Sequence, residues 1–162
     1  MAAAVMRALA ITVSTRAAAG QRVDTSGVLL VDGLALMGFA TQGPVVVSDG
    51  PAVAEALGEG LSHGYDLIVT TGGTGLSPAD QTPEFTAPLL QRLIPGIPEA
   101  LREHGVRNGV ATAILSRGIA GTSGSTLIIN LAGSPGAVRD GLEVLVPLVH
   151  HALEQMRGVD HS

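Results

Sequence analysis

Residues 70–84, TTGGTGLSPADQTPE, concentrate the groups best suited to hold a phosphorylated ligand. Gly72, Gly73 and Gly75 let the backbone turn tightly with bare amides pointing outward, and such amide nests bind phosphate. Thr71, Thr74 and Ser77 add hydroxyl donors. The glycines alone could merely join a strand to a helix, but the full string through Asp80, Thr82, Pro83 and Glu84 is far more specific. A second cradle is AGSPG at 132–136, where Gly133, Ser134 and Pro135 open a helix. A helix start offers unpaired N–H groups and partial positive charge to an anion. The plainer role of that segment is capping by Ser134 with Pro135 at the first helical position. Two acids, Asp49 and Asp80, fall where the phosphates of a ligand would sit. A carboxylate repels phosphate unless a divalent cation lies between them, and Mg²⁺ is usually held by one or two carboxylates plus phosphate oxygens. Their plainer roles are a turn residue and a helix cap. Ser14, Ser77, Ser116 and Ser134 are loop serines able to bind ligand oxygens. The five histidines, His63, His104, His150, His151 and His161, show no ligand spacing and read as solvated or structural; no Ser-His-Asp arrangement is evident.

Composition removes many alternatives. The chain has no cysteine, which excludes disulfides, thiolate catalysis, iron–sulfur clusters and cysteine-type zinc sites. All nine basic residues are arginine, so Walker-type phosphate binding by lysine and Schiff-base chemistry are excluded. A net charge of −5, no basic cluster, one Tyr, two Phe and no Trp leave poor footing for nucleic acid. The opening MAAAVMRALAITVSTRAAAG superficially resembles a signal peptide, but its short apolar stretch runs into Ser-Thr-Arg as a buried strand does. No apolar run approaches the ~20 residues that span a bilayer, so a soluble cytoplasmic protein is expected. At 46% apolar and only 14% charged residues, some surface is expected to be covered, most simply by copies of the chain itself.

These groups need a scaffold that brings them together. Strands are expected at 8–14, 44–48, 66–71, 111–115 and 126–131. Between them lie a helix capped by Asp24 or Ser26 carrying Val28, Leu29, Leu36 and Met37, and a helix from Pro51 to about Gly60. Helical stretches at about 84–92 and 98–104 follow, parted by Pro95-Gly96. A last helix runs to about Met156 with Val138, Leu142, Leu145, Val149, Leu153 and Met156 on one side, kinked or restarted at Pro147. Alternating strands and helices predict a three-layer α/β/α sandwich on a mixed, mainly parallel sheet, as one domain over 1–162 with an ordered core about 8–157. In such sheets ligands bind beyond the carboxyl ends of the strands. That rule selects Ser14-Thr15-Arg16, Asp49, the loop from Thr70 to Asp80, Ser116-Arg117 and Asn130 through Gly136.

With these residues in view, the chain resembles the Mog/MoaB family of molybdenum-cofactor biosynthesis, and within it the molybdopterin adenylyltransferases. The resemblance is carried by TVSTR at 12–16, Asp24-x-Ser26-Gly27, Ser48-Asp49, TTGGTG at 70–75, Asp80-x-Thr82-Pro83-Glu84, Pro95-Gly96, LSRG at 115–118, STLIIN at 125–130 and GSPG at 133–136. It implies a homotrimer that transfers AMP from Mg-ATP to molybdopterin, releasing pyrophosphate, and a downstream molybdenum-insertion protein as partner. It implies that Asp49 and Asp80 are the catalytic acids and hold Mg²⁺. It also implies that Ser116 and Asn130 belong to the nucleotide and pterin site, and that the glycine loop and GSPG turn contact phosphates. Two positions depart from the family pattern: Ala79 stands where a basic residue is common, and Ala132 where proline is usual. A non-catalytic molybdopterin-binding or assembly paralog is the alternative; retention of both acids favours the enzyme.

Overall fold

The computed structural model describes residues 4–159; His161 lies outside them. Six strands form one sheet in the order β2-β1-β3-β6-β5-β4. They are β1 (Arg7–Val13), β2 (Ala40–Val47), β3 (Leu67–Thr71), β4 (Arg92–Leu93), β5 (Ala120–Ser123) and β6 (Thr126–Leu131). Strands β2, β1, β3 and β6 run parallel, while β5 and β4 are antiparallel additions at one edge.

The near-continuous apolar runs of β1, β3 and β6 follow from burial on both faces. Side chains alternate across the sheet. Ala8, Ala10, Leu67, Val69, Leu127 and Ile129 pack on one face under α2 (Thr25–Leu36), α5 (Gly96–Arg107), α6 (Pro135–Leu145) and α7 (Val149–Met156). Leu9, Ile11, Val13, Ile68 and Ile128 pack on the other face against α3 (Pro51–Ser62) and the segment holding α4 (Thr82–Thr86). The result is the expected three-layer sandwich. A four-residue turn of helix, α1 (Thr15–Ala18), follows β1 directly. Among the described residues no helix is long and apolar enough to cross a membrane.

Asp24, rather than Ser26, caps α2, its carboxylate accepting from the Gly27 amide at 2.9 Å. The apolar face of α2 differs from the expected one. Leu30 and Leu34 are buried, whereas Val28 and Leu36 are 52% and 90% exposed. The helix is largely apolar, with Asp32 its one charge, so periodicity does not mark its inner face. The final helix breaks before Val149, as Pro147 requires.

Two segments depart from expectation. Residues 111–115, expected as a strand, form a 3₁₀ turn with Ile114 and Leu115 exposed. The strand beside β6 is instead β5, whose sequence AGTS carries no hydrophobic pattern. It is extended because it pairs with β6 through a two-residue turn at Gly124-Ser125, and Gly124 has φ +57°. The expected helix at 84–92 ends early: α4 stops at Thr86, a 3₁₀ turn covers Ala87–Leu89, and Arg92–Leu93 pair as β4. A side chain on Gly121 would overlap the Arg92 carbonyl, so glycine at that position lets β4 lie against β5.

Candidate functional site

Because β1, β2, β3 and β6 are parallel, their carboxyl ends lie along one edge of the sheet. Ser14 and Thr15 follow β1, Asp49 follows β2, Gly72 follows β3 and Ala132 follows β6. Two cavities meet there. A polar one is lined by Ser14, Thr15, Arg16, Arg22, Asp49, Thr71, Gly72, Ser77 and Pro135. A second has apolar walls from Leu76, Leu101, Val110 and Leu115, with Thr74, Gly75, Ser116 and Asn130 at the strand end. Gly73, Asp80, Gly133 and Ser134 line both.

The glycine loop is shaped by close approach. Gly72 and Gly73 have φ of +102° and +69°, which only glycine adopts without strain. A Cβ on Gly72 would overlap the Val13 carbonyl, and one on Gly73 would overlap the Thr82 hydroxyl and lie 3.1 Å from Asp49 Oδ1. The loop is closed by Thr82, whose hydroxyl donates to the Gly72 carbonyl at 2.9 Å while its amide donates to Gly73. Among the described residues the amides of Gly73, Thr74, Gly75 and Leu76 donate to no protein acceptor. Four consecutive amides without a protein acceptor are available to an anion.

Asp49 and Asp80 flank this nest. Thr15 donates its hydroxyl to Asp49 Oδ2 at 2.8 Å and accepts the Asp49 amide at 3.1 Å. Asp80 Oδ2 accepts the Ser77 amide at 3.1 Å. The Oδ1 atom of each acid has no hydrogen bond among the described residues. Two half-buried carboxylates with a spare oxygen each, on one polar cavity beside bare amides, suit Mg²⁺ shared with a phosphate. They are a poor set for a softer metal, since no histidine lines either cavity.

Several predicted ligand groups are spent on the fold. Thr71 donates its hydroxyl to the Ala132 carbonyl at 2.8 Å, tying the two cradles together. Ser116 donates to Thr74 Oγ1 at 3.0 Å. Asn130 is buried, accepts the Ile119 amide and donates to Thr70 and Thr86. Ser14 caps α1 and Ser134 caps α6, with Pro135 at its first position. Ser77 is exposed, its hydroxyl 3.4 Å from the Ala79 amide. A side chain on Gly133 would press on Gly72 Cα at 3.1 Å, so the two glycine turns pack backbone against backbone.

No described histidine lines either cavity at this edge. His150 stacks on Phe39 and bonds the Met37 carbonyl, and His63 bonds the Glu59 carbonyl. His104 pairs with Glu143 at 2.8 Å near Asp140, and the Asn108 amide already donates to Asp140 at 3.0 Å. Further residues line or brace the polar cavity, and of these only Arg22 is not singled out in the sequence. Thr15 anchors Asp49, Arg16 and Arg22 line the polar cavity, and Ser26 ties α2 to the Gly133 carbonyl at 2.7 Å. The TVSTR string marks Thr15 and Arg16 by their place directly after β1, but nothing local marks Arg22.

A family profile described as "Probable molybdopterin binding domain" matches residues 9–151. The molybdenum cofactor biosynthesis bifunctional protein of Chlorobaculum tepidum is 37% identical over 157 residues, 96% of this chain and 50% of its own length. The chain thus spans about half the length of that bifunctional relative. The molybdopterin adenylyltransferase of Pyrococcus furiosus is 34% identical over 151 residues, 91% of this chain and 89% of its own. The solved structure of the molybdopterin biosynthesis Mog protein from Mycobacterium ulcerans superposes with a TM-score of 0.89 at 48% identity, covering 94% of this chain and 99% of that one.

Proposed function

The chain belongs to the molybdopterin binding domain family, and from that premise we propose that it is a molybdopterin adenylyltransferase of molybdenum cofactor biosynthesis. The reaction is attack by the terminal phosphate of molybdopterin on the α-phosphorus of ATP, forming adenylyl-molybdopterin and releasing pyrophosphate. The observation that carries this reading is the run of four bare amides between Asp49 and Asp80, at the junction of a polar and an apolar cavity. Two ligands that must meet at their phosphates need such a shared floor.

The chemistry asks little of a general base. A phosphate monoester has a second pKa near 6 and is mostly dianionic at neutral pH. The amides of Gly73 to Leu76 and the start of α6 at Ser134 hold and align anionic oxygens. The Leu76, Leu101, Val110 and Leu115 walls accept a flat ring, and Arg16 and Arg22 place positive charge in the polar cavity, where Ala79 places none. Asp49 and Asp80 would hold Mg²⁺, which when bound neutralises charge on the departing pyrophosphate. Thr15 fixes the direction in which Asp49 faces. The same reading makes the protein a cytoplasmic homotrimer that passes its product to a molybdenum-insertion protein.

The test is pyrophosphate release from Mg-ATP with and without molybdopterin. Release that requires molybdopterin is expected. Tight molybdopterin binding with no release would transfer the chain to the non-catalytic binding or assembly class, and neither would reject the reading altogether.

A further inference from the structure

We infer that Arg117 is a positioning residue that sets the glycine loop in its anion-binding shape; its catalytic consequence rests on the adenylyl-transfer reading, its geometry does not. The Arg117 amide donates to the Thr74 carbonyl at 2.8 Å. Its Nε donates to the Gly75 carbonyl at 2.9 Å, and its Nη2 to the Asp80 carbonyl at 2.7 Å. Its Nη1 reaches both carboxylate oxygens of Glu84, at 2.8 and 2.9 Å. One residue thereby collects three carbonyls of the segment 74–80.

The consequence follows from the planarity of the trans peptide, in which C=O and the next N–H point in opposite directions. Drawing the Thr74 and Gly75 carbonyls toward Arg117 turns the Gly75 and Leu76 amides away from it. Those are two of the four amides left without a protein acceptor. Arg117 itself lines neither cavity, and all three side-chain nitrogens are bonded to protein, so it is not a ligand group. Glu84 holds the guanidinium plane against rotation. A lysine keeps the charge but cannot present a flat fork to three directions at once.

The experiment compares Arg117→Ala, Arg117→Lys and Glu84→Gln with the wild-type chain by amide hydrogen exchange, inorganic pyrophosphate affinity and adenylylation kinetics. Exchange at the bonded amides of the loop, those of Ser77, Asp80 and Thr82, should quicken roughly tenfold or more in both Arg117 variants, the loss of a charge-assisted hydrogen bond, with the β1, β3 and β6 amides unchanged. Pyrophosphate affinity should fall alongside, and kcat by about 10²-fold as the phosphates lose alignment. Millimolar guanidinium should restore part of the loop protection and turnover of Arg117→Ala, which a merely destabilised fold would not allow. Glu84→Gln should move the same readouts in the same direction by less, and it stands in if the Arg117 variants fail to fold. Wild-type loop protection and pyrophosphate affinity in folded variants would overturn the inference. A wild-type chain with no adenylylation would remove the enzymatic reading alone, because exchange and pyrophosphate binding still decide the role of Arg117.

Discussion

Asp49 is held by a hydroxyl from another element, Thr15, whereas Asp80 is held by the amide of Ser77 in its own loop. Each keeps a second oxygen that no described residue engages. Asp49→Asn and Asp80→Asn should therefore lower the adenylylation rate by roughly 10²–10³ while molybdopterin affinity stays level or rises slightly. Steady-state rates and equilibrium binding on the same preparations check this; near-normal rates in both variants would exclude the metal role. Glycine substitutions separate loop shape from loop presence. A methyl on Gly75 would come within 2.8 Å of Asp80 Oδ2, the movable end of a side chain. Gly75→Ala should keep the fold and displace that carboxylate, costing up to about 10²-fold in turnover. Gly73→Val is a harsher change, since its Cβ meets Thr82 Oγ1 at a backbone φ of +69°. It should lower the melting temperature as well as ligand binding.

At the scale of elements, α2 is the strut that joins β1 to the GSPG turn. Asp24 caps its first turn and also accepts the Thr12 hydroxyl at 2.7 Å, while Ser26 reaches the Gly133 carbonyl. Asp24→Ala removes the cap and leaves the buried Thr12 hydroxyl without that acceptor, a loss of about 1–2 kcal/mol in urea unfolding. An unchanged midpoint and slope would show that the cap contributes nothing. Gly33 is legible in the sequence only as a weak helix former, yet its lack of a side chain lets Leu142 of α6 pack directly on α2. Gly33→Ala should cost about 1–3 kcal/mol through overpacking, despite its better helix propensity.

For the whole molecule, the parallel sheet lines up four strand ends, so residues from 14 to 134 share one site. The outer surface keeps large apolar side chains in water, with Leu36 at 90%, Val23 at 85%, and Leu93 and Ile114 each above 60% exposed. Covering them by self-association is the simplest reason for a chain with so few charges. A homotrimer is expected by light scattering at micromolar concentration. A monomeric mass would defeat that expectation, and a hexamer would favour an assembly role.

The buried parallel strands, a helix cap at Asp24 or Ser26, the Pro51 and Pro135 helix starts, the break at Pro147 and the two glycine-rich turns are readable from the chain alone. In each case the cause is local: a continuous apolar run, a side chain that caps, a missing amide, or, at Gly72 and Gly73, a backbone angle only glycine reaches. β5 and the turn at 111–115 were not readable, because AGTS is extended only by its pairing with β6 and ATAIL lacks a partner strand. The inner face of α2 is hidden for a related reason, since a largely apolar helix without clear periodicity is oriented by its neighbours. The same division runs through the site. Asp49, Asp80 and the glycines announce themselves by type and spacing, whereas the bonds of Thr15 to Asp49 and of Arg117 to three loop carbonyls become visible only when segments more than thirty residues apart are folded together. Hydrogen-bond partners across such separations depend on distance in space, which residue order does not encode directly.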